Sequence, residues 1–304
     1  PFQKTKSKMP SKRNCSDTAI QSGLKKEDLE HLLQIGHEAA VKGGKVLMEH
    51  YGRIKTIKSK GRIGDLVTNA DLASEEVVLS HLKNKSADIA VLSEESGVNG
   101  SLEDLMWCVD PLDGTTNFAH GYPFFATSIG LTWKGNPILG VIEIPFISEC
   151  YWAAPGLGAF CNYKKISVSS SKSLSDSLLV TGFAYDRHTR LDNNYAEFCS
   201  LTHKTRGVRR GGAAAVDLAF TAAGRLDGYW ERGLSPWDLA AGVAIVEQAG
   251  GIVKDYRGGE FEMSTGRVLA CCPQIEIELI EVLSKVKPLK GDMFGAPEIK
   301  DIGC

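Results

Sequence analysis

The chain has 304 residues, 43% hydrophobic and 24% charged, enough to bury a large core as one large domain or two smaller ones. A formal net charge of -2 supplies no global field toward nucleic acid or an anionic membrane, and no apolar stretch has the length of a transmembrane helix. The eight cysteines (Cys15, Cys108, Cys150, Cys161, Cys199, Cys271, Cys272 and Cys304) are dispersed without a C-x-x-C pair, which suits reduced thiols better than a disulfide framework or a zinc site.

Residues 1–24 read as a disordered basic tail. Lys4, Lys6, Lys8, Lys12 and Arg13 precede the first acidic residue, Asp17, and little apolar surface is available to order the segment. A transit-peptide remnant is the alternative, so the expected compartment is the cytoplasm or, on that alternative, the plastid stroma. Helical spacing begins at Glu27 and lasts to Glu49, with Leu29, Leu32, Leu33, Gly36, Ala40, Gly43 and Leu47 on one stripe. A basic segment over 57–62 leads to Asp65-Leu-Val-Thr-Asn-Ala-Asp71, a second helix over 72–83 and a buried strand over 89–92.

The apolar run into Val109 predicts another strand, followed by β-type runs at 125–133, 138–144, 150–153 and 166–168. Beyond residue 170 strands and helices alternate. Strands are predicted over 178–181, 226–230 and 268–271, and helices over 193–201, 213–223, 237–249 and 274–286. Helices followed by a mostly antiparallel sheet, then this alternation, imply an α/β layered architecture. The expected organisation is one domain over 25–288, with an α+β half (25–169), an α/β half (170–288) and a tail at 289–304.

The chemistry concentrates in Trp-Cys-Val-Asp-Pro-Leu-Asp-Gly-Thr-Thr-Asn-Phe, residues 107–118. Asp110 and Asp113 flank a turn fixed by Pro111, and two carboxylates so close repel unless a cation lies between them. Hard oxygen ligands at a strand end suit magnesium, and the amides after Asp113 could hold a phosphate. The same residues also suit an ordinary turn closing a strand.

Glu94 lies just past a strand, where it can converge on that turn or remain a surface carboxylate beside Glu95. Asp71 can be read as a helix N-cap. Ser235, Pro236 and Asp238 make a capping-box variant that explains Asp238 without any metal. Glu231 ends a strand, suited to a ligand hydroxyl or to a solvated loop. Arg206, Arg209 and Arg210 form a small basic cluster of the kind that usually faces solvent.

Taken together, the segments 65–71, 93–96, 107–118, 212–217 and Trp237-Asp238 resemble the inositol monophosphatase family of magnesium-dependent phosphatases. They occur in that family's order across residues 27–285, and the stretch 181–233 looks closest to its cyanobacterial and plastid branch. The resemblance implies an αβαβα sandwich of the inositol monophosphatase and fructose-1,6-bisphosphatase type, commonly dimeric and lithium-sensitive, hydrolysing a small phosphorylated polyol.

Residue by residue, it implies that Glu94, Asp110, Asp113, Asp238 and the Leu112 carbonyl hold Mg2+. Asp71 and Thr115 would orient and activate the attacking water. Gly114 and Thr115 amides would bind phosphate, and Gly212, Ala213, Ala214 and Glu231 would face the alcohol. Many members have Ser or Thr where this chain has Ala213, so one hydroxyl near the substrate is missing. Inositol monophosphates are the expected substrates. Fructose 1,6-bisphosphate, histidinol phosphate and phosphoadenosine phosphate are alternatives within the chemistry. A metal-free glycosidase using a carboxylate pair and a non-catalytic RNA- or partner-binding protein are alternatives outside it. Neither membrane nor nucleic acid is required by the main reading.

Overall fold

Apolar spacing and small residues set the layers. In the computed structural model, which describes residues 14–61, 65–99 and 104–289, α1 (Cys15–Ser22) precedes the long α2 (Lys26–His50). A short antiparallel ribbon of β1 (Ile57–Ser59) and β2 (Leu66–Thr68) leads into α3 (Asn69–Lys85). Next come β3 (Ala90–Ser93), β4 (Gly97–Asn99), β5 (Leu105–Asp113), the short α4 (Thr115–Ala119), β6 (Ala126–Trp133) and β7 (Asn136–Ile144). The strands β8 (Glu149–Ala154), β9 (Gly158–Cys161) and β10 (Lys164–Lys165) complete an eight-stranded sheet of order β10-β9-β8-β7-β6-β5-β3-β4. It is antiparallel apart from the β3–β5 pair.

The second half contains β11 (Leu178–Thr181), α5 (Tyr195–Lys204), β12 (Gly207–Arg210), α6 (Ala214–Ala222) and β13 (Gly228–Arg232). It ends with α7 (Pro236–Gln248), β14 (Ile252–Lys254), β15 (Arg267–Cys271) and α8 (Glu276–Lys285). Its five strands lie in the order β12-β11-β13-β15-β14. The α2–α3 pair covers one face of the larger sheet, through a core that includes Leu33, Val78, Leu82, Trp107 and Ile129. Between the sheets lie α6 and α7, rich in alanine, and α5 with α8 closes the outer face of the smaller sheet around Leu201, Trp230 and Leu279. The layers are therefore αβαβα.

Close approach places α7. A Cβ on Gly140 of β7 would stand 2.2 Å from the Ala241 carbonyl oxygen, so only glycine lets the α7 backbone rest on the sheet. That contact brings the start of α7 to the end of β5, and with it Asp238 to Asp110 and Asp113.

Three expectations need correction. Residues 15–22, assigned above to a disordered tail, form α1; Asn14 caps it through Asp17 N at 2.9 Å, and Cys15 N donates to Glu247 of α7 at 2.7 Å. The basic cluster stops at Arg13, and Cys15, Thr18 and Ala19 are buried, so averaging composition over 24 residues hid a docked helix. Residues 1–13 of that tail and residues 290–304 lie outside the described residues. The run 166–168 is not a strand but an extended link tied by Val168 N to Ala249 O at 3.1 Å. Finally, β5 does not stop before Asp110. It continues to Asp113 through a bulge between Asp110 and Asp113, where Pro111 cannot donate to the ladder.

Candidate active site

The bulge is what aims two carboxylates at one point. The Pro111 carbonyl is held by the Ser74 and Thr127 hydroxyls at 2.9 and 3.2 Å, so the turn is pinned to α3 and β6. Asp110 Oδ1 accepts from Leu112 N at 3.0 Å. Asp113 reaches the start of α6, accepting from Ala214 N at 3.2 Å and Ala215 N at 2.7 Å, where a carboxylate complements the helix dipole. Asp238 arrives from the first turn of α7 as the expected capping-box partner, accepting from Ser235 N at 2.7 Å.

Among the described residues, oxygens of Asp110, Asp113 and Asp238 lie within 4.8 Å of one another. Burial drives the Asp110 carboxyl far above its usual range, and the charges of Glu94, Asp113 and Asp238 push it further. Burial likewise raises Asp113, to about 7, and lifts Asp238 well up, with Asp113 and Glu94 adding to the latter. Three carboxylates crowded out of water suit a cation held between them. All the donors are hard oxygens, the set that suits a hydrated divalent ion.

Glu94 sits in the turn after β3, its amide donating to Val109 O at 3.1 Å, and its carboxylate accepts from Lys60 of the β1–β2 ribbon at 2.8 Å. Lys60 also bonds Glu95 at 2.5 Å, so one ammonium bridges the two carboxylates beside the cluster. Leu112 buries its side chain against Leu47, Phe118 and Phe125, and its carbonyl accepts from the Thr115 hydroxyl at 3.0 Å.

That hydroxyl also reaches Asp71 Oδ1 at 2.9 Å. Asp71 is not the N-cap. Thr68 is, and Asp71 is the third helical residue, its Oδ2 accepting from the Thr68 amide (2.8 Å) and hydroxyl (2.6 Å). Burial raises the Asp71 carboxyl, with the Thr68 and Thr115 bonds opposing. Gly114 opens α4 at φ +88°, and a Cβ there would press the Phe124 carbonyl oxygen at 2.9 Å, so glycine is required on two counts.

A cleft of about 480 Å³ joins these groups. Glu94, Asp110, Leu112, Asp113, Gly114, Thr115 and Asp238 line it together with Gly212, Ala213, Ala214 and Glu231. Asp71 lies behind Thr115 rather than on the wall. Glu231 lies within β13, not after it. Tyr229 donates to its Oε2 at 2.6 Å, and burial pushes its carboxyl up to about 7. A Cβ on Gly182 would stand 2.1 Å from that oxygen, so Gly182 admits the carboxylate against the end of β11.

Every site residue expected from the sequence thus converges, Asp71 through Thr115. Lys60, Trp237, Arg210 and the loop residues Gly182–Tyr185 and Arg187 also line the cleft and were not anticipated as site residues. The loop after β11 has no periodicity to mark it. The Arg pair 209–210 was visible but indistinguishable from a solvated cluster until β12 placed its end at the cleft.

The model of the inositol monophosphatase family matches residues 28–287. The chain belongs to that family. It is 51% identical over 258 residues to an inositol-1-monophosphatase of Synechocystis, a match covering 84% of this chain and 90% of the relative. It is 44% identical to a chloroplastic phosphatase of Arabidopsis thaliana, covering 83% of this chain and 69% of the relative. The solved inositol monophosphatase of Anabaena superposes with a TM-score of 0.79 at 48% identity, over 86% of this chain and 98% of that one. These relatives bear out the cyanobacterial and plastid branch, and family membership makes the chain a metal-dependent hydrolase of phosphomonoesters.

Proposed function

We propose that residues 25–288 form one catalytic unit that hydrolyses inositol monophosphates with Mg2+. The observation that carries this is the convergence of Asp110, Asp113 and Asp238 within 4.8 Å, in a cleft that Glu231 also lines. Glu94, Asp110, Asp113, Asp238 and the Leu112 carbonyl would hold the metal. When bound, the metal supplies acidity to water and charge to offset the leaving oxygen, which a reaction this slow without catalysis requires.

The chain's own groups do the rest. The Thr115 hydroxyl passes its proton to Asp71 as it takes one from the attacking water. Asp71 is suited to receive it because burial raises its basicity while Thr68 fixes its second oxygen. The Gly114 and Thr115 amides would bind phosphate, at a turn no other residue than glycine can make. Glu231, with Gly212, Ala213 and Ala214, would align the alcohol; positioning of this kind lowers the barrier by fixing the ester against the water.

With alanine at 213 the cleft offers no hydroxyl there, which keeps fructose 1,6-bisphosphate, histidinol phosphate and phosphoadenosine phosphate as competing substrates. Family membership further supports a homodimer, lithium inhibition and a cytoplasmic or plastid compartment. No helix among the described residues is long and apolar enough to cross a membrane. The deciding experiment measures phosphate release from these four esters, with Mg2+ and with chelator. The highest kcat/KM on inositol monophosphate, abolished by chelation, supports the reading. A higher value on another ester reassigns the substrate, and chelator-resistant activity removes the metal.

A further inference from the structure

Three side chains on one face of α3 reach the segments that carry the acidic cluster. Asp71, Ser74 and Glu75 stand at the spacing of neighbours on a helix surface, three and four residues apart, and all three are buried. Asp71 meets the Thr115 hydroxyl, and Ser74 holds the Pro111 carbonyl within the bulge of β5. Glu75 reaches the third segment, the turn between β3 and β4.

The strand β3 runs parallel to β5 with Ser93 opposite Val109, so Glu94 leaves the sheet beside Asp110. Residues 94–96 form the turn to β4, which pairs with β3 from Val91–Asn99 to Ser93–Gly97. Four donors of this hairpin converge on one oxygen of Glu75. Its Oε1 accepts from the Ser93 hydroxyl, from Glu95 N at 3.3 Å, and from Ser96 N and the Ser96 hydroxyl, each at 3.1 Å. Glu94 N donates to Val109 O, so the backbone on either side of the Glu94 side chain is held. Hydrogen bonds to a carboxylate are roughly twice as strong as neutral ones, which ties the turn firmly to α3. Glu75 itself does not line the cleft.

We propose that Glu75 is a positioning residue for the metal centre: it holds the β3–β4 turn so that the Glu94 carboxylate stays beside Asp110. Metal affinity then depends on a side chain that does not bind the ion. Supports of this kind behind a metal ligand are typically worth roughly tenfold to a hundredfold in affinity. The inference rests on the metal role of Glu94 proposed above.

Mg2+ binding to the substrate-free protein, measured by isothermal titration calorimetry, separates positioning from plain structural support. Glu75→Asp keeps the charge but draws the acceptor back from the turn by one methylene. Glu75→Gln loses the charge but keeps an acceptor oxygen at full reach. The Mg2+ dissociation constant should rise by roughly tenfold to a hundredfold in Glu75→Asp and by much less in Glu75→Gln. Glu94→Gln should also weaken Mg2+ binding. Adding Glu75→Asp to it should bring little further loss, because a carboxylate that is gone can no longer be positioned. Wild-type affinity in Glu75→Asp, an equal loss in Glu75→Gln, or losses that add in the double variant each overturn the proposal. So does a non-native circular dichroism spectrum in both Glu75 variants, which makes Glu75 a support of the fold. Absence of Mg2+ binding by the wild type, or unchanged binding in Glu94→Gln, overturns instead the metal role of Glu94 beneath it.

Discussion

The Thr115 hydroxyl donates to Asp71 Oδ1 over 2.9 Å, while the other oxygen of Asp71 is held by Thr68. The capping box of α3 thus fixes a carboxylate whose free oxygen faces the one hydroxyl shared with the cleft. Replacing Thr115 by Val removes that hydroxyl at nearly constant volume. We expect kcat to fall by roughly 10²–10⁴, the usual scale of general-base assistance, with KM little changed. Steady-state kinetics on inositol 1-phosphate decide it; unchanged kcat would assign the proton to another group.

Asp238 serves two roles that a single substitution separates. Asn keeps the capping bond to Ser235 N, so Asp238→Asn should cost at most about 1 kcal/mol of stability by denaturant titration. Turnover should fall by orders of magnitude because the carboxylate charge facing Asp110 and Asp113 is gone. A variant with near-normal turnover would reduce Asp238 to a helix cap.

Legibility followed the local signals. Asp110, Asp113 and Gly114 were readable because Pro and Gly punctuate an apolar run, and Asp238 because Ser-Pro-Trp-Asp is a helix start. The layers were readable from the switch between spacing types. The bulge was not, since continuing a strand past Pro111 depends on Ser74 and Thr127 holding its carbonyl from other elements. Nor was α1, whose docking depends on Glu247, 232 residues away. Lys60, Gly182 and Arg187 carry no pattern of their own; only the fold brings them to the cleft.

Glu231 lines the cleft outside the Asp110, Asp113 and Asp238 cluster. Glu231→Gln should lower kcat/KM on inositol phosphates by roughly tenfold to a hundredfold, the worth of a charge-assisted hydrogen bond, and spare a simple aryl phosphate. Gly182→Ala should produce the same selective loss, because its methyl group would displace the Glu231 carboxylate. Equal losses on both esters would make Glu231 a structural or electrostatic support instead.

Burial raises Asp113 and Glu231 to about 7 in the folded chain, against about 4 when unfolded. Between those values the folded state binds more protons than the unfolded one, so stability present below pH about 4 is lost as pH rises through about 7. In chelator, the melting temperature should therefore fall from pH 5 to pH 7.5 by differential scanning fluorimetry. Saturating Mg2+ should flatten the fall, because a cation replaces the protons on Asp113. A melting temperature that rises with pH in chelator would contradict this charge distribution.

Asp110 lies at the centre of the acidic cluster, and its exchange for Asn tests the metal site most directly. Turnover of inositol 1-phosphate and Mg2+-induced thermal stabilisation should be measured together on Asp110→Asn, with circular dichroism confirming the fold. Loss of turnover beyond about a thousandfold, with a native spectrum and a diminished Mg2+ shift, is the expected result. A native Asp110→Asn protein that turns over normally and gains the wild-type stabilisation from Mg2+ would contradict a catalytic metal centre at Asp110, Asp113 and Asp238.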